Sequence, residues 1–337
     1  MLDNVWRHGR DFLGVKYPII AGGMTWISNF ELVKSVSDAG AFPVFAGGNM
    51  PPEMFEREID RLIANINLPF AVNLITIAPN YRAHFDIVKR KKVPFVVFAG
   101  NFPKKKDVVE MKASGKKTIS FASTESIAKK QISWGIDALI LEGSEAGGHI
   151  GNVSLIVLLQ QVLFNIKEFP IFVAGGIATG KMMAHLLMMG AYGIQMGTRF
   201  VMTEECTAHP NFKKAFVKAR ARQAVATPQY DNKLPVVGVR ALANKGMENF
   251  GKLQLELLKK LEANEITREK AQFEVENYWA GSLRLAVVDG EIDKGSLMAG
   301  QSVGLVKQIK PIKAMLEEMI DDADYELDKI KAMFEYI

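Results

Sequence analysis

The chain predicts an α/β protein, a (β/α)8 TIM barrel with a helical cap inserted near the C-terminus. Three observations predict it. Short apolar runs recur across residues 17–200, small or polar residues close most of them, and segments of helical spacing separate them. Apolar runs alternating with amphipathic helices make parallel strands with crossover helices, and eight repeats are what a closed barrel needs. A doubly wound open sheet is the alternative. Small residues gathered around one shared mouth favour the barrel.

The runs follow in order. Tyr17-Pro18-Ile19-Ile20 leads into Ala21-Gly22-Gly23-Met24, and Phe42-Pro43-Val44-Phe45 into Ala46-Gly47-Gly48-Asn49. Pro69-Phe70-Ala71-Val72 ends at Asn73, and residues 93–98 end at Ala99-Gly100-Asn101. Lys117-Thr118-Ile119-Ser120-Phe121 is a more polar fifth strand. The sixth, Leu139-Ile140-Leu141, stops at Glu142 and gives way to Gly143-Ser144-Glu145-Ala146-Gly147-Gly148-His149-Ile150-Gly151. Phe169-Pro170-Ile171-Phe172-Val173 runs into Ala174-Gly175-Gly176, and Tyr192-Gly193-Ile194-Gln195-Met196 into Gly197-Thr198-Arg199-Phe200. Between them, sets such as Leu32, Val33, Val36 and Ala39 carry the helical period.

Beyond Phe200 the texture changes. Residues 1–205 read as the barrel, 206–280 as a helical cap over its mouth with no strand of its own, and 281–337 as a return to the barrel plus a C-terminal amphipathic helix. In the cap, residues 211–222, 250–261 and 266–279 are helical, and His209-Pro210, Thr227-Pro228 and Leu234-Pro235 mark irregular connections. Residues 281–288 and 295–304 resemble barrel loops. In the tail, Leu316, Ile320, Ala323, Leu327, Ile330, Phe334 and Ile337 form one apolar seam, which packs on its own chain in preference to a partner.

Composition narrows the function. With 337 residues and 48% of them apolar, the chain can bury a large core. Lys and Arg (42) barely exceed Asp and Glu (37) and are scattered, so a nucleic-acid partner is not expected. The single cysteine, Cys206, excludes a disulfide framework and a cysteine metal cluster. No apolar run approaches the roughly 20 residues of a membrane span, and the first residues lack the apolar core of a secretory signal. A cytoplasmic protein without membrane association is expected.

The chemistry concentrates at strand ends. Glycines flanking His149 let backbone N–H groups approach a flat or anionic ligand, although Gly-Gly pairs also serve simply as turns. Gly175-Gly176-Ile177-Ala178-Thr179-Gly180-Lys181 opens like a Walker A loop, but Met182 stands where a Mg²⁺-binding hydroxyl would be needed. What remains is positional. Loops after the seventh and eighth strands of a barrel hold phosphate, through backbone N–H groups and a helix N-terminus. His8, His84, His185 and His209 look unremarkable, with His84 in polar surroundings, and no metal site is expected. Lys104-Lys105-Lys106 lies near the mouth, as a solvated loop or a landing strip for an acidic carrier or pyrophosphate.

At Ala21-Gly22-Gly23-Met24, Glu142 to Gly151, Ala174-Gly175-Gly176-Ile177, Gly197-Thr198-Arg199-Phe200 and Gly295-Ser296-Leu297-Met298-Ala299-Gly300-Gln301, the chain resembles the FMN-dependent nitronate monooxygenase superfamily. Within it, the likeness is to the bacterial enoyl-acyl carrier protein reductase II branch. The resemblance implies FMN in the barrel mouth. Gly22, Gly23, Met24 and Asn73 would lie at its ring, Glu142, Gly147 and Gly148 beside it, and Gly175, Gly176, Gly197 and Thr198 at its phosphate. Met298 and Gln301 would close over it, and His149 would be catalytic. It further implies NADH or NADPH as electron donor, allows a monovalent cation, and points to an acyl carrier protein or acyl thioester substrate and a homodimer. Nitronate oxidation with dioxygen is the alternative activity. Phe98 and Phe102 depart from the family pattern and add bulk that would reshape the pocket.

Overall fold

The computed structural model describes residues 1–234, 236 and 238–335. Pro235 and Ile337, named above, lie outside the described residues. Eight parallel strands close into a barrel in the order β1 (Ile19–Ala21), β2 (Phe42–Phe45), β3 (Ala71–Ile75), β4 (Phe95–Ala99), β5 (Lys117–Ala122), β6 (Ala138–Glu142), β8 (Ile171–Ala174) and β9 (Gly193–Met196), and β9 pairs back onto β1. All eight expected runs are strands, the second at the expected bounds and the others shifted by one to three residues at one or both ends.

Side chains alternate across each strand, which divides the apolar residues into two layers. Ile20, Phe42, Val44, Phe95, Val97, Ile140 and Phe172 fill the barrel interior. Leu74, Val96, Phe98, Leu139, Leu141 and Val173 face the surrounding helices. Fully buried rings such as Phe42 and Phe172 contribute on the order of 2 kcal/mol each through removal from water. The helix Arg7–Leu13 plugs the barrel floor. Phe12 meets Phe95 edge-on and Phe172 at a tilt, each at 5.9 Å between ring centroids.

Three expectations need correction, two of them in the C-terminal third. The insert does have strands, β10 (Ala224–Ala226) and β11 (Val239–Leu242), antiparallel to each other. Both are too short to show an alternating pattern. β11 also pairs with β7 (Gly148–His149), so the insert holds the loop that carries His149. Second, residues 281–287 are helical. The helix Arg268–Val287 runs through Gly281 without a break, because Trp279, Leu283 and Ala286 continue one buried face. Third, His84 is buried, stacked on Phe55 at 4.0 Å with Nε2 3.0 Å from the Met50 carbonyl oxygen. The helix Tyr81–Arg90 turns it inward with Phe85 and Val88.

The insert has its own core around Phe250, Leu257, Val275 and Trp279. Asn244 and Thr267 cap its two long helices, Lys245–Glu262 and Arg268–Val287, by accepting from the N–H groups of Met247 and Lys270. The tail helix Ile312–Glu335 packs on the helix Gly180–Met188. Its seam is buried at Leu316, Ala323 and Leu327 and runs out into solvent by Phe334. Among the described residues, no helix is long and apolar enough to cross a membrane.

Candidate active site

A cavity of about 660 Å³ opens at the C-terminal ends of the barrel strands. Gly22, Gly23, Met24, Asn73, Glu142, Gly147, Gly148, His149, Gly175, Gly176, Gly197, Thr198 and Met298 all line it. Gln301 does not. Its backbone N–H donates to the Glu145 carbonyl oxygen at 2.9 Å, and the neighbouring Gly300 and Ser302 line the wall instead.

The floor of the site is polar because the last inward position of several strands is polar. The register places Glu142 beside Ala174 and Ala174 beside Gln195, in one row across β6, β8 and β9. Asn73 is the inward residue of β3, level with Val97 on β4. Asn73 Oδ1 and Gln195 Oε1 are buried without a hydrogen-bond partner. A buried amide oxygen in that state costs free energy that a ligand donor would recover. Burial pushes the Glu142 carboxyl up to about 8, since the charged form loses its hydration there.

Three loops meet above this floor. Gly300 N–H donates to Thr198 Oγ1 at 3.1 Å, joining residues 295–304 to the loop after β9. The same segment runs so close to the loop after β6 that a Cβ on Gly147 would collide with Gly300 and Ala299. Arg240 Nε donates to the Ser144 carbonyl oxygen at 2.9 Å and braces that loop from β11. Gly175 and Gly176 take φ of 98° and 72°, which brings their backbone to the cavity wall. The helix Gly180–Met188, however, contributes no amide there. Thr179 caps its first turn, and the tail helix covers it around Met319 and Ala323.

His149 stands on this wall with its ring 28% exposed. Nε2 is buried without a hydrogen bond and lies 3.6 Å from Oε1 of Glu276. Glu276 belongs to the helix Arg268–Val287, as do the lining residues Asn277, Trp279 and Ala280. Phe102 lines the cavity and is half exposed, but Phe98 does not line it. Strand alternation turns Val97 and Ala99 to the site and Phe98 to the helices. Lys104, Lys105 and Lys106 are exposed. Among the described residues, no group of three or more His, Cys, Asp or Glu gathers as a metal site would require.

Gln195, Glu276 and Trp26 escaped the sequence reading. Gln195 left a signal, a single amide in an apolar run at the position level with Ala174. Trp26 left its place two residues after Gly22-Gly23-Met24, and Glu276 left none, because its neighbour His149 is remote in sequence.

A statistical model of the nitronate monooxygenase family matches residues 8–86 and 75–322, which together span most of the chain. The chain belongs to the nitronate monooxygenase family. Several known proteins resemble it along most of their length. FabK from Thermotoga maritima is 34% identical, with 97% of this chain and 98% of that chain covered and a TM-score of 0.85. A (3aS,4S,5R,7aS)-5-hydroxy-7a-methyl-1-oxo-octahydro-1H-indene-4-carboxyl-CoA dehydrogenase of Rhodococcus jostii is 27% identical over 96% of this chain and 97% of its own. A probable nitronate monooxygenase of Staphylococcus aureus is 26% identical over 74% of this chain and 82% of its own. This member of the nitronate monooxygenase family is therefore an enzyme of oxidoreductase type built on a TIM barrel.

Proposed function

We propose that this chain is an FMN-dependent enoyl-thioester reductase that uses NADH or NADPH to reduce trans-2-enoyl groups carried by acyl carrier protein. The observation that carries the reading is the pairing of a glycine-walled cavity with one imidazole, His149, whose Nε2 is buried and unbonded at its edge. The likeness to FabK, of the enoyl-acyl carrier protein reductase II branch, favours this activity over others in the family.

The residues fit a flavin. Gly22, Gly23, Gly147 and Gly148 leave room for a flat ring. The orphaned amides of Asn73 and Gln195 would meet its polar edge, and backbone N–H groups of Gly175, Gly176, Gly197 and Thr198 would hold its phosphate. When bound, FMN supplies the transfer of hydride from nicotinamide to the β-carbon of the enoyl group. His149 donates through Nε2 to the thioester carbonyl oxygen as negative charge gathers there, and serves the α-carbon as a proton source. Glu276 Oε1 lies 3.6 Å from that same nitrogen, beyond hydrogen-bond distance, which leaves Nε2 to donate to the substrate. Trp279 and Ala280 on the same helix shield the site from water.

The test is anaerobic NAD(P)H oxidation by the purified protein, followed with and without a crotonyl or octenoyl thioester. The thioester accelerates oxidation, and His149→Ala slows the accelerated rate by about 10²–10⁴-fold. No acceleration with any enoyl thioester would remove the proposal. The Staphylococcus aureus relative favours a second reading, oxidation of alkyl nitronates by dioxygen. Oxygen uptake with propionate 3-nitronate and no nicotinamide would select it.

A further inference from the structure

Trp26 holds a backbone conformation that few residues with a side chain adopt. Its φ is 67°, in the left-handed region, and such residues persist only where the surroundings impose them. Here the indole is tethered. Nε1–H donates to the carbonyl oxygen of Ala280 at 3.0 Å, on the helix Arg268–Val287. The ring thus spans from the loop after β1 to the insert.

On one side of it lies the candidate active site. On the other is a second cavity of about 300 Å³, lined by the apolar Ala46, Met50, Val287 and Val288 and by the polar Asn29 and Thr207. Thr25, Trp26 and Asn49 belong to both walls, and Trp26 is much the largest of the three. None of the described residues lining the second cavity is ionisable, and the Asn29 amide is engaged with Thr207, its Nδ2 donating to Oγ1 at 2.8 Å, so an uncharged hydrocarbon chain meets no charge there. The first cavity has to accept a cofactor ring together with the reacting end of a substrate. A long acyl chain must therefore leave it, and the second cavity is its neighbour across the indole.

We propose that Trp26 sets acyl-chain length: its indole closes the passage from the active site into the second cavity and restricts the enzyme to short acyl groups. The inference rests on the reading of the substrate as an acyl thioester. It names Trp26 as a specificity determinant with no part in hydride or proton transfer.

The experiment measures Kd of the FMN-loaded protein for butyryl-CoA and dodecanoyl-CoA by calorimetry, in the wild type, Trp26→Ala and Trp26→Phe. Melting curves check folding, and Trp26→Leu replaces Trp26→Ala should the latter unfold. The affinity ratio of dodecanoyl to butyryl thioester rises about tenfold or more in Trp26→Ala, the scale of discrimination that a few methylenes in an apolar pocket provide. Trp26→Phe keeps a ring in the partition and stays near the wild-type ratio. An unchanged ratio in Trp26→Ala overturns the proposal. So does an equal rise in Trp26→Phe, which would trace the effect to the lost tether, and so does failure of every variant to bind either thioester. Failure of the reductase reading is separate. It shows as absent turnover in the wild type and leaves the binding ratios readable.

Discussion

Glu142 ends its strand at the barrel mouth, where the inward side of β6 has no more hydrocarbon to offer and no ion to pair with. Desolvation holds its carboxyl neutral up to about pH 8, against about 4.3 for an exposed glutamate. The folded chain therefore keeps a proton that the unfolded chain releases between pH 4.5 and 8. Proton binding by the folded state alone makes stability fall as pH rises through that window. The penalty is absent below about pH 4.5 and fully developed above 8, on the order of a few kcal/mol. Glu142→Gln removes the titration and keeps the shape. In the flavin-free protein it raises the melting temperature relative to wild type at pH 8.5, with little difference at pH 5. Equal differences at the two pH values would show that the carboxyl is not held neutral. The position of Glu142 at the mouth-side end of an apolar run was legible in the sequence, as was that of Asn73. The buried carboxyl's altered proton affinity was not, since it depends on the row formed with Ala174 and Gln195. Glu276 was invisible for the same reason: nothing near it in sequence announces a neighbouring imidazole.

Among whole elements, the parallel strands were the most legible, because burial on both faces leaves near-continuous apolar runs. The antiparallel pieces were the least. β7 is Gly148–His149 alone, and only its pairing with β11 makes it a strand. In the sequence Gly281 resembles loop punctuation, whereas in the fold the helix continues through it, fixed by the buried face from Trp279 to Ala286. Gly180 shows how element contacts decide what a glycine means. In the sequence it looks like part of a phosphate loop. In the fold it is the contact at which the tail helix crosses the helix Gly180–Met188, and a Cβ there would collide with the Met319 carbonyl oxygen and crowd Asp322. Overpacking of a rigid backbone contact typically costs about 1–3 kcal/mol. Gly180→Ala accordingly lowers the melting temperature by several degrees, while Lys181→Ala, one residue on and exposed, leaves it unchanged. A neutral Gly180→Ala would mean that the tail helix docks elsewhere.

For the molecule as a whole, the site is a property of closure. Strand ends from around the barrel, the loop carrying His149, the insert and residues 295–304 meet at one cavity, and no single segment contains it. Unfolding disperses all of them, so a ligand held by their backbone amides and orphaned amide oxygens binds the folded state alone. Such a ligand stabilises the fold by about 2.7 kcal/mol at one hundred times its Kd, which for a chain of this size is a rise of several degrees in melting temperature. FMN added to flavin-free protein produces that rise. On the proposed binding mode, riboflavin, with the same ring and no phosphate, would use Asn73 and Gln195 but not the amides of Gly175, Gly176, Gly197 and Thr198. Its shift is smaller at equal concentration. Equal shifts for the two compounds would take the phosphate away from those loops, and no shift with either would leave the unpartnered amides of Asn73 and Gln195 without the ligand argued for them.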